Sequence, residues 1–257
     1  MRLLPLPELT GGLWVEVDAE AVAVRVADRL LASLTAGQTL GLATGRTMVA
    51  VYAALRQRLM AMPSGQRRQL VNRWRSFNLD EYVGLGPDDQ GSFAHFMGEQ
   101  LANPLELPSG SLRIPNGLAL DPALEARAYA QALALAGGVD LQVLGLGNNG
   151  HIGFNEPPCP IDARCRCLVL SAATRLQNAM AFGGHPEAVP ARAITLGTAE
   201  ILAAREVLLV VTGAAKAEIL KRCLLEPPQA ALPASWLRRH PRFCLVIDEE
   251  AASELRI

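Results

Sequence analysis

The stretch Val139-Asp140-Leu141-Gln142-Val143-Leu144-Gly145-Leu146-Gly147-Asn148-Asn149-Gly150-His151-Ile152-Gly153-Phe154-Asn155-Glu156-Pro157 decides how this chain is read. Val139–Leu146 reads as a strand, and it opens into the glycine-rich loop Gly147–Pro157. Upstream, Asp121-Pro122 is a helix start with proline in the first turn, and Gly137-Gly138 is a helix stop. Downstream, Ser171–Phe182 reads as a helix, and Ala193–Gly197 and Val207–Thr212 read as buried strands. The second of these (VLLVV) has no alternation at all. A helix follows from near Ala215, and Phe243–Ile247 is a last strand before a short C-terminal helix with an acidic start. Toward the N-terminus, Asp18 caps a helix to about Leu34, with Val22, Val26, Leu30 and Leu34 at helical spacing. Thr39–Ala43 is a short apolar strand ending in Thr44-Gly45-Arg46-Thr47. A helix carrying Val51, Tyr52, Leu55 and Leu59 comes next. Arg73–Leu79 reads as a strand, and Gly91–Leu101 as a helix with Phe93, Phe96, Met97 and Leu101 on one face. Strands that alternate with helices and are apolar on both faces predict an α/β fold. The expected form is an open, doubly wound, mostly parallel (Rossmann-like) sheet with helices on both faces, in a single domain, 1–257.

Composition excludes several classes of function. The chain has 257 residues, 50% hydrophobic and 19% charged, with a formal net charge of -1. That is enough apolar material for a large core and argues against disorder. There is no basic stripe of the kind a nucleic acid or an anionic membrane selects. The N-terminal apolar stretch is broken by Pro5, Pro7 and Glu8, and no window approaches the ~18 apolar residues of a membrane helix. A cytoplasmic protein is expected. The five cysteines are Cys159, Cys165, Cys167, Cys223 and Cys244. An odd number without an export signal argues against a disulfide framework, and their spacing lacks the paired pattern of a zinc site. No metal is expected.

In a doubly wound sheet the ligand sits outside the carboxyl ends of the strands. Four strand ends carry candidate chemistry. Thr44-Gly45-Arg46-Thr47 exposes N–H groups at a helix start, which suits a phosphate; it also suits a plain tight turn, and it lacks P-loop spacing. Thr212-Gly213 precedes Lys216, one of two lysines in an arginine-rich chain and a compact charge suited to phosphate; a solvated helix residue is the alternative. Asp80-Glu81 can supply a carboxylate whose pKa a dry cleft raises, able to take a proton from carbon; one of the pair can instead cap a helix. In the loop, His151 can move protons near neutral pH, bracketed by Asn149 and Glu156.

Two of these segments resemble motifs of the glucosamine-6-phosphate deaminase/isomerase family. Phe77-Asn78-Leu79-Asp80-Glu81-Tyr82-Val83-Gly84-Leu85 resembles its Phe-Asn-x-Asp-Glu-Tyr signature, and Gly147–Pro157 (GNNGHIGFNEP) resembles its catalytic loop. Weaker similarity includes Met1-Arg2-Leu3, the Thr44–Thr47 turn, Val189-Pro190, Thr212-Gly213 with Lys216, His240-Pro241 and Val246–Ala251. It therefore runs over nearly the whole chain. The resemblance implies a small-molecule sugar phosphate as partner, and conversion of glucosamine 6-phosphate and water to fructose 6-phosphate and ammonia without metal or organic cofactor. It implies that His151 opens the pyranose ring, that Asp80 removes the C2 proton and returns one at C1, and that Glu156 and Asn149 hold and tune His151. It leaves the oligomeric state open, a homo-oligomer included.

Two departures stand out. The family's Thr-Gly-Gly-Thr turn reads Thr-Gly-Arg-Thr here, through Arg46. Its Thr-Arg-x-x-Asn-x-Arg-Phe helix pattern has Met180 where a phosphate-binding arginine is implied. Arg46, with Lys216, is expected to compensate; a different amino-sugar phosphate is the alternative. Some relatives respond to N-acetylglucosamine 6-phosphate through basic residues after the loop and a longer tail. Here Arg166 persists but Leu168 and Val169 are apolar, so no strong activation is expected. The related 6-phosphogluconolactonases resemble this chain less, because their loop lacks Phe-Asn-Glu. A sugar-responsive regulator's effector module would have little need for Asp80 and His151 together.

Overall fold

The computed structural model describes residue 9 and residues 11–255. The Met1-Arg2-Leu3 similarity and the Pro5, Pro7 and Glu8 interruption lie outside the described residues. In chain order the elements are β1 (Gly12–Glu16), α1 (Ala19–Thr35), β2 (Leu40–Leu42), α2 (Arg46–Met60), α3 (Ser64–Asn72), β3 (Ser76–Asn78) and β4 (Asp80–Tyr82). Then come α4 (Phe93–Met97), α5 (Asn103–Leu105), β5 (Leu112–Arg113), α6 (Pro122–Leu135), β6 (Leu141–Gly145), β7 (Arg166–Val169) and α7 (Ala172–Asn178). The last are β8 (Arg192–Thr195), α8 (Thr198–Leu202), β9 (Glu206–Val211), α9 (Ala217–Leu225), β10 (Phe243–Asp248) and α10 (Glu249–Ala252).

Local chemistry accounts for the helix ends. Asp18 Oδ1 accepts from Ala21 N at 2.8 Å, and Asp121 Oδ1 accepts from Ala123 N and Leu124 N at 2.9 and 3.0 Å. Each satisfies N–H groups that the first helical turn leaves open. α1 buries Val22, Val26, Leu30 and Leu34 as one stripe against the sheet. β9 and β10 are buried at every residue, as strands covered on both faces must be.

Among the described residues, seven strands form one sheet in the order β1-β10-β9-β6-β2-β3-β5, with every neighbouring pair parallel. This is the open, doubly wound sheet flanked by helices that the pattern predicts. From β2 the chain winds outward through β3 and β5; from β6 it winds the other way through β9 and β10, and β1, the first strand of the chain, lies beyond β10 at that edge. The strand order therefore reverses between β2 and β6, and the crevice at that reversal is the natural ligand position. The turn Thr44–Thr47 leaves β2 there, and the loop Gly147–Pro157 leaves β6 beside it.

The structure corrects three expectations. Ala193–Gly197 contributes β8, which lies not in the parallel sheet but in a separate antiparallel sheet, β4-β8-β7. Arg166–Val169 and Asp80–Tyr82 supply its other two strands. The helix Ser171–Phe182 ends at Asn178 and tightens into a 3₁₀ turn, Ala179–Phe182, which Gly183 closes at φ 67°. The helix Gly91–Leu101 is confined to Phe93–Met97 and then widens into a π turn, Gly98–Ala102. The small sheet has its own apolar cluster of Tyr82, Phe154, Leu170, Ala179, Val189 and Ala193.

No helix among the described residues is long and apolar enough to cross a membrane.

Candidate active site

The chain leaves the parallel sheet at Leu79. Leu79 N donates to Leu42 O at 3.0 Å inside the first sheet, and Leu196 N donates to Leu79 O at 2.7 Å at the edge of the second. Asp80 is therefore the first residue of β4 and sits where the two sheets part, opposite Thr195 of β8. It is 5% exposed. Burial, and after it the neighbouring Glu81 charge, pushes its pKa up to about 8. A carboxyl held in this way keeps its proton at neutral pH, and is a far stronger base than an ordinary aspartate once ionised. Glu81, in contrast, accepts from Tyr82 N, Phe93 N and Ala94 N, so it caps α4. Of the two adjacent carboxyls, one is bound to backbone and one is left for chemistry.

The loop after β6 comes to this point. Phe154 N donates to Thr195 Oγ1 at 3.3 Å. Asn155 Nδ2 donates to Ile152 O and Leu196 O at 3.0 and 2.9 Å. A Cβ at Gly153 would lie 3.1 Å from both Asp80 Oδ2 and Thr195 Oγ1, so the loop backbone passes directly over the carboxyl. Two residues earlier, the His151 ring lies flat on Gly147. A Cβ there would stand 2.2 Å from its Cε1 and Nε2, so only glycine lets the imidazole take this place. His151 Nδ1 lies 2.6 Å from Asn149 Oδ1. An amide oxygen only accepts, so Nδ1 carries the hydrogen, and Nε2 presents a lone pair with no partner among the described residues. Burial pushes the imidazole pKa down to about 4; Glu156 opposes this and Lys216 adds to it. The ring is therefore neutral at physiological pH.

Glu156 does not hydrogen-bond His151. Its oxygens accept from Ser171 N at 3.0 Å, from Ser171 Oγ at 2.7 Å and from Thr174 Oγ1. Its hold on the imidazole is electrostatic, and its structural effect is to tie the loop to the start of α7.

The turn after β2 closes the crevice from the other side. Gly45 has φ 116°, a conformation that strains any residue with a side chain, and it opens α2 directly at Arg46. Thr47 Oγ1 and Thr212 Oγ1 are 3.3 Å apart, linking this turn to the end of β9. Gly213 N donates to both oxygens of the buried Asp248, at 3.0 and 2.9 Å, which braces the segment leading to Lys216. Lys216 Nζ donates to Asn148 Oδ1, on the loop that carries His151. Burial and the nearby Arg46 charge hold the Lys216 ammonium below the usual lysine range. Two cations thus approach each other across the crevice, with no acidic partner for either among the described residues, which favours an anion. Met180 is 86% exposed and takes no part in this arrangement.

Asp80, Asn149, His151, Arg46, Thr47 and Lys216 converge on the switch point, while Thr44 and Gly45 shape its rim. Thr195, Asn148, Ser171, Thr174 and Asp248 brace these groups, and none stands out in the sequence. Each meets its partner only across elements far apart in the chain. The cysteines remain free; Cys159 Sγ lies 3.6 Å from Asn155 Oδ1. Asn78, fully buried at the end of β3, has a carboxamide with no hydrogen-bond partner among the described residues.

A proton-retaining carboxyl, a neutral imidazole and a cationic turn, set at the switch point of a doubly wound sheet, define an α/β enzyme of the proton-transfer class. Residues 17–245 match the model of the family described as glucosamine-6-phosphate isomerases/6-phosphogluconolactonase, and the chain belongs to that family. A glucosamine-6-phosphate deaminase of Shouchella clausii (strain KSM-K16) is 43% identical over 215 residues, 84% of this chain and 85% of that one. One of Hahella chejuensis (strain KCTC 2396) is 43% identical over 218 residues, 85% and 81% of the two chains. Among solved structures, a monomeric glucosamine-6-phosphate deaminase has 33% identity and a TM-score of 0.86, covering 95% of this chain and 99% of its own. A 6-phosphogluconolactonase of Trypanosoma cruzi, 18% identical with a TM-score of 0.76 over 99% and 100% of the chains, shares the fold.

Proposed function

We propose that this chain converts glucosamine 6-phosphate and water to fructose 6-phosphate and ammonia. The observation that carries the reading is the placement of Asp80 under the same loop that holds a neutral His151 with its Nε2 lone pair open. His151 takes the proton of the anomeric hydroxyl and returns one to the ring oxygen, which opens the sugar to its 2-amino aldehyde. Ionised Asp80 removes the C2 proton; the electron pair forms a C1–C2 double bond as O1 takes up a proton. Asp80 returns its proton to C1, leaving an iminium at C2 whose nitrogen releases the proton that balances the one O1 took up, so that an imine results. Water adds to C2, the carbon–nitrogen bond breaks and ammonia leaves. Asn149 fixes the imidazole but, as an amide, adds no charge to stabilise imidazolium, in keeping with a depressed pKa.

The phosphate is held by the Thr44–Thr47 turn at the start of α2, with Arg46 and Lys216 as its cations and Arg46 replacing the arginine lost at Met180. Arg46→Ala is expected to raise KM for glucosamine 6-phosphate about tenfold or more with little change in kcat. An unchanged KM would refute the compensation and turn attention to other amino-sugar phosphates. The chain acts as one domain, 1–257, in the cytoplasm, without strong activation by N-acetylglucosamine 6-phosphate; sigmoidal kinetics relieved by that sugar would contradict the last point.

The test is ammonia release from glucosamine 6-phosphate, with 6-phosphogluconolactone hydrolysis run beside it. Ammonia release abolished by Asp80→Asn supports the deaminase reading. Lactone hydrolysis without ammonia release would replace it with the lactonase reading, which has only the shared fold in its favour.

A further inference from the structure

Glu81 stands next to the base and has no step in the reaction above. It is 1% exposed, yet its carboxylate is fully engaged. Oε1 accepts from Tyr82 N at 2.7 Å and Phe93 N at 3.0 Å, and Oε2 accepts from Ala94 N at 2.7 Å. Two of these donors are the first peptides of α4, beside its cap Ser92, whose Oγ accepts from His95 N at 2.9 Å. The carboxylate thus fastens the start of α4 to the strand that begins with Asp80.

The intervening segment is itself pinned. Val83 N donates to Arg192 O at 3.0 Å, and Gly84 N to Gly117 O at 2.8 Å. Phe93 packs on Tyr82 with ring centroids 4.8 Å apart and stacks on Phe154 of the catalytic loop at 5.8 Å. What Glu81 holds at α4 therefore reaches the loop that carries His151.

We propose that Glu81 is a positioning residue: its carboxylate, fixed by three peptide N–H groups, clamps α4 to the strand of Asp80 and places a negative charge beside the base. The two effects have one origin. N–H donors stabilise a carboxylate over a carboxylic acid, which can donate to none of them. Burial, the largest influence, holds the Glu81 pKa above its ordinary value against these three donors, and Asp89, which itself accepts from Gly86 N at 2.6 Å, adds to it. Asp80 meets Glu81 and Tyr82 from its own strand, Tyr129 from α6, Thr195 from β8 and Gly153 from the loop. Burial holds both phenols above their usual range, so they stay neutral, and Glu81 is the charge among them. Two adjacent buried carboxyls cannot ionise independently. With Glu81 taking the N–H donors, burial first and the Glu81 charge after it leave Asp80 the one protonated, and it ionises only as pH approaches 8.

This inference rests on Asp80 being the base of the proposed reaction. The experiment is kcat/KM for ammonia release from glucosamine 6-phosphate across pH, in the native chain and in Glu81→Gln. The amide keeps an oxygen for Tyr82 N and Phe93 N and removes the charge. The acid limb of the profile is expected to move to lower pH by about one unit. A limb that stays in place while activity falls equally at every pH would overturn the proposal, because a purely structural Glu81 predicts that result. Should Glu81→Gln fail to fold, carbon-13 titration of the carboxyl groups in the native chain decides, with Asp80→Asn as the assignment control. Glu81 ionising below Asp80 is expected; Glu81 still protonated while Asp80 titrates would overturn it. No ammonia from the native chain, or undiminished release in Asp80→Asn, identifies failure of the underlying reading instead and removes both.

Discussion

In the proposed reaction Asp80 is buried for chemistry rather than for stability, and the two can be separated. Its folded pKa of about 8 lies above its ordinary value of 3.8. A carboxyl raised in this way contributes its full stability below about pH 4, and loses it as pH rises toward 8. Asp80→Asn is therefore expected to stabilise the fold by about 1 kcal/mol or more at pH 9, and by less at pH 5. Urea unfolding at the two pH values measures this, and an equal effect at both would mean that the carboxyl is already ionised in the fold at pH 5, so that its pKa is not raised. The same variant should lose on the order of 10²–10⁴ in kcat. Gly147 offers a second test at this scale. In Gly147→Ala the new methyl occupies the place of the imidazole, 2.2 Å from Nε2, so the ring must move. Roughly 10²-fold loss in kcat/KM is expected, since misplacement by about 1 Å has that effect. Asp80 and His151 were both legible in the sequence as candidates. Their neighbours Thr195 and Asn148 were not, because a lone threonine or asparagine carries no signal until a partner is placed against it.

Two elements position the reacting groups, and both depend on contacts distant in sequence. The loop Gly147–Pro157 is fastened near its C-terminal end, to β8 through Phe154 N on Thr195 and to the start of α7 through Glu156. Thr174→Val removes a hydroxyl donor from Glu156 and leaves Ser171 as its partner. The expected result is a loss of about 1 kcal/mol in stability and a larger fall in kcat than rise in KM. Full activity in Thr174→Val would show that the loop needs no such anchor. The length and polarity of the helices were readable from capping and spacing, as Asp18 and Asp121 show. The ends of α7 and α4 were not, because the 3₁₀ and π turns that follow them arise from packing rather than from local propensity. The strands β4 and β7 were obscured for a related reason: they are only 3 and 4 residues long, and with β8, which was readable as a strand but not as part of a second sheet, they face a satellite cluster rather than the main core.

Across the whole molecule, the proposed substrate crevice lies between the two halves of the parallel sheet, so ligand binding there would be coupled to global stability. A non-reacting phosphorylated amino-sugar analogue at a hundredfold its Kd should raise the unfolding free energy by about 2.7 kcal/mol. At the same concentration the gain should shrink in Arg46→Ala, as measured by thermal shift; an undiminished gain would place the phosphate elsewhere. The chain alone determined the parallel, doubly wound fold, because unbroken apolar runs such as Val207–Val211 can be stable only with both faces covered. It also determined which residues could move protons or hold a phosphate, since that is a property of side-chain type and of position at a strand end. Only the tertiary structure decided that β2 and β6 lie side by side, which makes their loops one crevice. It alone diverted the chain at Leu79 into a second sheet, so that Asp80 is dehydrated beside Glu81 while the imidazole rests on Gly147. The reason is physical: a pKa is set by burial and by neighbouring charge, and both are properties of packing between residues far apart in the chain.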